Sequence, residues 1–168
     1  DESLGISAAY FDITQENRIS DGSTPGGVEQ TGAVIDGWEL QVNKRWQRFE
    51  TQLAYTDLNA RDDASGNRLP YVAERQASWW NQLYIANNWR VGAGVRYVGD
   101  NVGSGGGPVV PSVTLYDAMI GYTWQNWDFT VDAKNLADDE YITWCRSEGA
   151  DCGYGERRTV NANAKYRF

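Results

Sequence analysis

Hydrophobic and polar positions alternate with a period of two along most of this chain. Near its end, Val160, Ala162, Ala164, Tyr166 and Phe168 share one face, whereas Thr159, Asn161, Asn163, Lys165 and Arg167 share the other. One face suits oil and the other water, and the run from Glu156 closes the chain on an aromatic residue, as outer-membrane barrel strands do. The same pattern predicts seven further strands upstream. In the first, Leu4 to Ile13, Leu4, Ile6, Ala8 and Tyr10 alternate with Gly5, Ser7 and Ala9. The second sets Trp38, Leu40, Val42 and Trp46 against Glu39, Gln41, Asn43 and Arg45, with Lys44 interrupting the apolar face near a strand end, where it can snorkel. The third sets Phe49, Leu53 and Tyr55 against Glu50, Gln52, Ala54 and Thr56. The fourth, Arg75 to Ile85, turns Ala77, Trp79, Leu83 and Ile85 outward, and Asn81 breaks its apolar face without explanation. In the fifth, Trp89, Val91, Ala93, Val95 and Tyr97 alternate with Arg90, Gly92, Gly94 and Arg96, so that aromatic rings bracket an aliphatic middle. The sixth shows Tyr116, Ala118, Ile120, Tyr122 and Trp124 outward, and the out-of-phase Val113 and Leu115 predict a bulge near its start. The seventh sets Trp127, Phe129, Val131 and Ala133 against Asp128, Thr130, Asp132 and Lys134.

Long polar loops are predicted at Thr14 to Gly32, Asn59 to Glu74, Gly99 to Pro111 and Leu136 to Gly155. They alternate with tight turns at 47–48, 86–88 and 125–126, and G-S-G-G-G-P within the third loop reads as a flexible surface segment. Short turns on one side and long loops on the other are the asymmetry of bacterial outer-membrane barrels, whose even strand number keeps both termini together. Trp46, Phe49, Trp89, Trp124 and Trp127 gather beside the short turns, as a periplasmic aromatic girdle would. The fold class expected is all-β, an antiparallel transmembrane barrel with eight strands in this chain, either closed as a small barrel or part of a larger one. A soluble sandwich would also alternate. Against it, Arg45, Arg90, Arg96, Asp128, Asp132, Lys134 and Lys165 charge the opposite face, and no helical pattern exists to cover the apolar one.

The composition fits. Hydrophobic residues make up 41% of 168, the mean hydropathy is −0.60, and no run approaches a spanning helix. Half of every barrel strand faces a polar lumen, which holds the average down. The 8 Trp and 10 Tyr prefer membrane interfaces. A net charge of −8 and a pI near 4.5 make a nucleic-acid partner improbable. There is no His and no nucleophile–base pair, so no catalytic residue, no metal ligand set and no cofactor is expected, and the chain is not read as an enzyme. Asp62, Asp63, Asp138, Asp139 and Glu140 could attract calcium, but no loop has EF-hand spacing and solvated acidic loops explain them as well. The two cysteines, Cys145 and Cys152, lie close together in a polar stretch, and a disulfide between them implies an oxidising compartment. It would close a loop of 8 residues and contribute roughly 2 to 3 kcal/mol on the chain-entropy model. No signal peptide precedes the first strand, so a mature chain or a fragment is expected.

Asn135 to Tyr141 reads N-L-A-D-D-E-Y and resembles the N-L-F-D-x-x-Y motif near the C-terminus of TonB-dependent outer-membrane receptors. The resemblance continues backward through R-L-P-Y-V-A-E-R-Q-A-S-W-W, G-A-G-V-R-Y-V-G-D-N and V-P-S-V-T-L-Y-D-A-M-I-G-Y, and forward through C-x6-C-G-Y-G-E-R-R to the terminal Phe. Several ordered matches over Gly37 to Phe168 are more specific than any one alone. The cysteine pair followed by Y-G-E-R-R is most similar to the branch that takes up ferric hydroxamates such as ferrichrome or ferrioxamine.

What the resemblance implies is a 22-stranded barrel with an N-terminal plug in the Gram-negative outer membrane, importing ferric siderophores with energy transmitted by TonB through the plug. The sequence contains neither plug nor TonB box, so residues 1–168 are expected to form a single barrel segment, the C-terminal third of such a receptor. Its partners would be the chelate, outer-membrane lipid, the barrel-assembly machinery reading Tyr166 and Phe168 as a C-terminal signal, and TonB only through a plug on another segment. A self-contained eight-stranded anchor that transports nothing is the alternative. Tyr141, Trp144 and Tyr154 flank the cysteine staple and could line a site for a bulky chelate. Taken singly, Tyr141 and Trp144 are each better read as members of an outer aromatic girdle.

Overall fold

In a computed structural model of the chain, residues 3–21, 28–86, 88–104, 107–147 and 150–168 are described. Eight antiparallel strands form one sheet: β1 (Ser3–Asp21), β2 (Val28–Arg45), β3 (Phe49–Asp62), β4 (Arg75–Ile85), β5 (Trp89–Val98), β8 (Val113–Trp124), β9 (Trp127–Lys134) and β12 (Thr159–Tyr166). Two small hairpins rise from the loop side, β6 (Asn101–Val102) with β7 (Val109–Val110), and β10 (Ile142–Ser147) with β11 (Ala150–Tyr154). Each strand of the sheet pairs with its chain neighbour in that sheet, and among the described residues β1 pairs only with β2 and β12 only with β9. The sheet is therefore an open arc and not a closed eight-stranded barrel.

Register carries the alternation across strands. Leu40, Tyr55, Ala77, Tyr97 and Thr114 follow one another across five strands, as do Phe49, Leu83, Val91, Ile120, Val131 and Ala162 across six. The apolar positions thus merge into one continuous exposed face. On it, Trp89 and Tyr97 of β5 and Tyr116 and Trp124 of β8 lie eight residues apart, as do Trp38 of β2 and Trp46 just past its end. Eight residues span about 26 Å along a strand, or about 20 Å along the membrane normal at a tilt of 35–45°, close to the apolar band of a transmembrane barrel. The short-turn girdle is joined by Tyr122, 4.5 Å from Trp89, and by Tyr166, 5.0 Å from Trp127. The second girdle consists of Tyr10, Trp38, Tyr55, Tyr97 and Tyr116, with the Tyr10 and Trp38 rings 4.8 Å apart.

Lys44 and Asn81, which interrupt the apolar pattern on this face, each have a partner. Lys44 places Nζ 5.3 Å from the Trp46 ring at the short-turn end. Asn81 stands opposite Thr51, whose hydroxyl lies 2.8 Å from Asn81 Oδ1 and accepts a hydrogen bond from Trp79 Nε1 at 2.9 Å. In hydrocarbon an unpaired amide would be costly, and a cross-strand bond removes part of that cost.

Several expected boundaries are corrected. The first loop, read as Thr14 to Gly32, is mostly strand: β1 runs on to Asp21 and β2 starts at Val28, with a register shift between Gln15 and Arg18. Beyond the membrane both strand faces meet water, so pairing persists without apolar alternation. Residues 22–27 of that loop, Asn87 of the second turn, and Gly105 and Gly106 of G-S-G-G-G-P lie outside the described residues. No bulge opens the sixth strand of the sheet, since β5 and β8 pair without a shift from Val98–Val113 to Trp89–Tyr122. Leu115 belongs to the polar face, where it is 2% exposed. The last strand starts at Thr159 rather than Glu156, because residues 155–158 are taken up by the loop architecture described next.

Candidate functional site

The long-loop end is organised around Asn135, which follows β9 directly and is 2% exposed. Its Nδ2 donates to the carbonyls of Asp139 at 2.8 Å and Glu156 at 3.0 Å, while Oδ1 accepts from the Asp139 N–H at 3.0 Å. Its own N–H donates to Asp117 Oδ1 at 3.0 Å, and Asp117 is gripped by Arg96 through two bonds of 2.5 and 3.0 Å. Through its side chain and its N–H, this one residue ties the end of β9 to the approach of β12 and, through Asp117, to β5 and β8. Three residues on, Asp138 accepts from Arg157 Nε and Nη2 at 3.1 and 3.0 Å and from the Arg158 N–H at 2.9 Å. Arg157 also reaches Glu140 at 2.7 Å. The guanidinium, aided by the Arg158 N–H, holds the Asp138 carboxyl down at about 2. Asp138 and Glu140, two of the carboxylates considered for calcium, are thus engaged by Arg157.

This latch places the cysteine hairpin. Gly155 donates to the Tyr141 carbonyl at 2.8 Å, and the Tyr141 ring lies so close over Gly155 that no Cβ would fit there. Trp144 lies in the same way over Gly153. Cys145 and Cys152 face each other across β10 and β11 and form the disulfide. Cys145 is buried, and its carbonyl sits where a side chain on Gly103 would be. Asn101 Nδ2 bonds the Thr143 carbonyl at 3.1 Å, tying β10 to β6. Gly103 and Gly107 therefore serve close packing against β10. Tyr71, from the loop after β3, meets Trp144 edge to face with centroids 6.0 Å apart. That loop folds back so that Leu69 is buried on Ala33 and Ala60.

Of the candidate binding residues, Trp144 and Tyr154 are exposed, Tyr154 by 66%, while Tyr141 is half-buried and packed on Gly155. Strand residues supply the second girdle described above. Tyr71 was missed by sequence reading, since its contact with Trp144 spans two loops. Tyr166 and Phe168 meet edge to face at 5.2 Å on the exposed apolar face beside Trp127.

The polar face is braced across strands. Arg90 of β5 makes paired bonds of 2.9 and 2.6 Å to Asp128 of β9, passing over Gly121 of the intervening β8, where a Cβ would collide with the guanidinium. Trp80 of β4 lies across Gly92 and Gly94 of β5, and a Cβ built on Gly94 would stand 2.5 Å from the indole. Arg45 approaches the Tyr84 ring to 5.7 Å. This wall is charged, amphipathic and tightly paired, as a lumen lining is.

A family model described as TonB dependent receptor-like, beta-barrel matches residues 1–136. The chain belongs to that family. The Catecholate siderophore receptor Fiu of Escherichia coli (strain K12) is 31% identical over 183 aligned positions, covering all of this chain and 24% of the receptor. The Ferrioxamine receptor of Yersinia enterocolitica is 28% identical, over 96% of this chain and 25% of the receptor. Among solved structures, Fiu from E. coli K12 in its closed form superposes with a TM-score of 0.79 at 27% identity, over 98% of this chain and 25% of that one. The chain thus spans about a quarter of the length of the relatives it matches. Membership in this receptor family places the TonB-dependent receptor barrel segment in the Gram-negative outer membrane, with the apolar face toward lipid and the polar face toward the lumen. The family consists of transport receptors, not enzymes.

Proposed function

We propose that this segment is the wall and loop region of a receptor that imports a ferric siderophore, with Trp144 and Tyr154 among the groups that meet the chelate. The observation that carries the reading is the similarity over the whole chain to two siderophore receptors, joined to a disulfide-stapled hairpin that exposes both rings. Rigid aromatic side chains suit capture of a bulky chelate because they bring area without losing much rotamer freedom. Tyr141 acts one step back, holding the hairpin on Gly155. The cysteine pair with Y-G-E-R-R favours a ferric hydroxamate, and the 31% identity to Fiu favours a catecholate. TonB would act through a plug outside this segment, and Tyr166 with Phe168 would serve as the assembly signal. The alternative, a self-contained eight-stranded anchor, fits poorly with an open sheet whose edges β1 and β12 carry unpaired backbone groups.

The test is binding of iron-55 complexes to cells expressing the receptor that contains this chain. Ferrichrome and ferrioxamine are compared with a ferric catecholate. Trp144→Ala and Tyr154→Ala should each weaken binding of one chelate class about tenfold, roughly 1.4 kcal/mol, while leaving surface expression intact. Unchanged binding of both classes in the double variant would remove the hairpin from the site.

A further inference from the structure

We propose that the receptor containing this chain pairs with a second copy of itself in the membrane, through the polar notch that Asn81 and Thr51 make in the lipid-facing wall. The Thr51 hydroxyl donates to Asn81 Oδ1 at 2.8 Å and accepts from Trp79 Nε1 at 2.9 Å, so its one proton is spent. Asn81 Nδ2 carries two N–H groups and has no acceptor among the described residues, while Oδ1 keeps a second lone pair. Asn81 shares its face with Trp79, Leu83 and Ile85, all three exposed. Register fixes its depth. Asn81 stands opposite Ala93, which is four residues from each of Trp89 and Tyr97, the rings that bound the apolar band on β5. The unanswered amide therefore lies at the middle of the hydrocarbon, where a donor without an acceptor is most costly.

The occupant follows from depth and symmetry. Acyl chains at that level offer no acceptor, and membrane-spanning helices and barrels consume their backbone groups internally, so the acceptor is a side chain. A second copy inserted in the same direction carries Asn81 at the same depth, and a two-fold axis along the membrane normal brings the two amides together. Each Nδ2 then donates to Oδ1 of the other copy, which is the self-complementary arrangement an isologous contact needs. Ala93, exposed and beside Asn81 in register, leaves room for the incoming amide. Strands tilted by roughly 35–45° cross at about 70–90° across such an axis, so the contact stays close to Asn81 and leaves β8 and β9 to lipid.

Receptor containing this chain is purified, labelled on a loop with donor or acceptor dye, and mixed in bilayers at low protein density. Förster transfer is then measured with and without unlabelled receptor as competitor. Wild type should show transfer that unlabelled receptor abolishes. Asn81→Leu should weaken association about tenfold, the scale of two hydrogen bonds within a bilayer, and Asn81→Gln, which keeps the amide, should retain most of it. Ala93→Leu, which fills the space beside the amide, should act like Asn81→Leu, whereas Val131→Leu on β9 should leave transfer unchanged. Heat-modifiable migration in gels checks that every variant has folded. Wild-type transfer no greater than random encounter would overturn the proposal and leave the notch to lipid. Equal transfer in wild type and Asn81→Leu would overturn it as well. So would a photo-cross-linker at position 93 that captures a different outer-membrane protein in cells and no second receptor.

Discussion

Asn135 adopts a left-handed backbone conformation, φ 52°, while its amide closes three hydrogen bonds in a nearly water-free position. Asparagine is the side chain that tolerates this conformation while offering both a donor and an acceptor. Asn135→Ala should therefore destabilise the barrel by roughly 2 to 4 kcal/mol, the toll of orphaned buried carbonyls and of a strained alanine. Asn135→Gly keeps the backbone and loses the bonds, so it should fall between the two in urea unfolding followed by tryptophan fluorescence. Asp138 gives a second test. Its folded value of about 2 lies below the ordinary carboxylate range near 3.9, so the latch to Arg157 contributes fully above about pH 4 and is lost as pH falls through about 2. Carbon-13 NMR of the carboxyl should show the low midpoint, and Arg157→Gln should raise it toward 3.9. A midpoint near 3.9 in the unaltered protein would mean that the latch does not form.

Between elements, glycines mark where one strand carries the side chain of another. Trp80 occupies the space over Gly92 and Gly94, so Gly92→Ala should cost roughly 1 to 3 kcal/mol by overpacking. Adding Trp80→Ala should recover part of that loss, and a double-mutant cycle measures the coupling. Two additive single effects would mean that ring and glycines do not touch. Cys145→Ser with Cys152→Ser should release the hairpin locally, seen as faster amide exchange in β10 and β11 with β4 and β5 unaffected. Slowed exchange, or none altered, would place the hairpin's order elsewhere. These elements also show what the sequence made legible. The strands at Arg75 to Ile85 and Trp127 to Lys134 were readable to the residue because each has one face in lipid and one in the lumen. The extensions of β1 and β2 were not, because above the membrane no solvent difference imposes a period of two. Leu115 misled for a related reason: it is an apolar residue buried on the polar face.

At the scale of the molecule, one sheet separates two environments. Aromatic rings eight residues apart along β2 and the residue that follows it, β5 and β8 set the thickness of the apolar band, while on the opposite side Arg96 with Asp117 ties the adjacent β5 and β8 and Arg90 with Asp128 ties β5 to β9 across β8. The short-turn girdle was legible as aromatic residues flanking three turns, and the second girdle emerged only when register aligned single rings from five strands. The candidate site was legible in part: the cysteine staple and its flanking rings stood out, whereas Tyr71 and the glycine cradle depend on loops meeting in space. The account's central claim is that lipid covers the face of Val91, Ile120 and Val131 while the face of Thr130, Asn161 and Asn163 lines a lumen. Single spin labels at these six positions in the receptor, reconstituted in bilayers, test it through collision with oxygen and with a water-soluble nickel chelate. The first three should be accessible to oxygen and shielded from nickel, and the second three should not show that signature. Nickel accessibility at Val91, Ile120 and Val131 would contradict the membrane assignment.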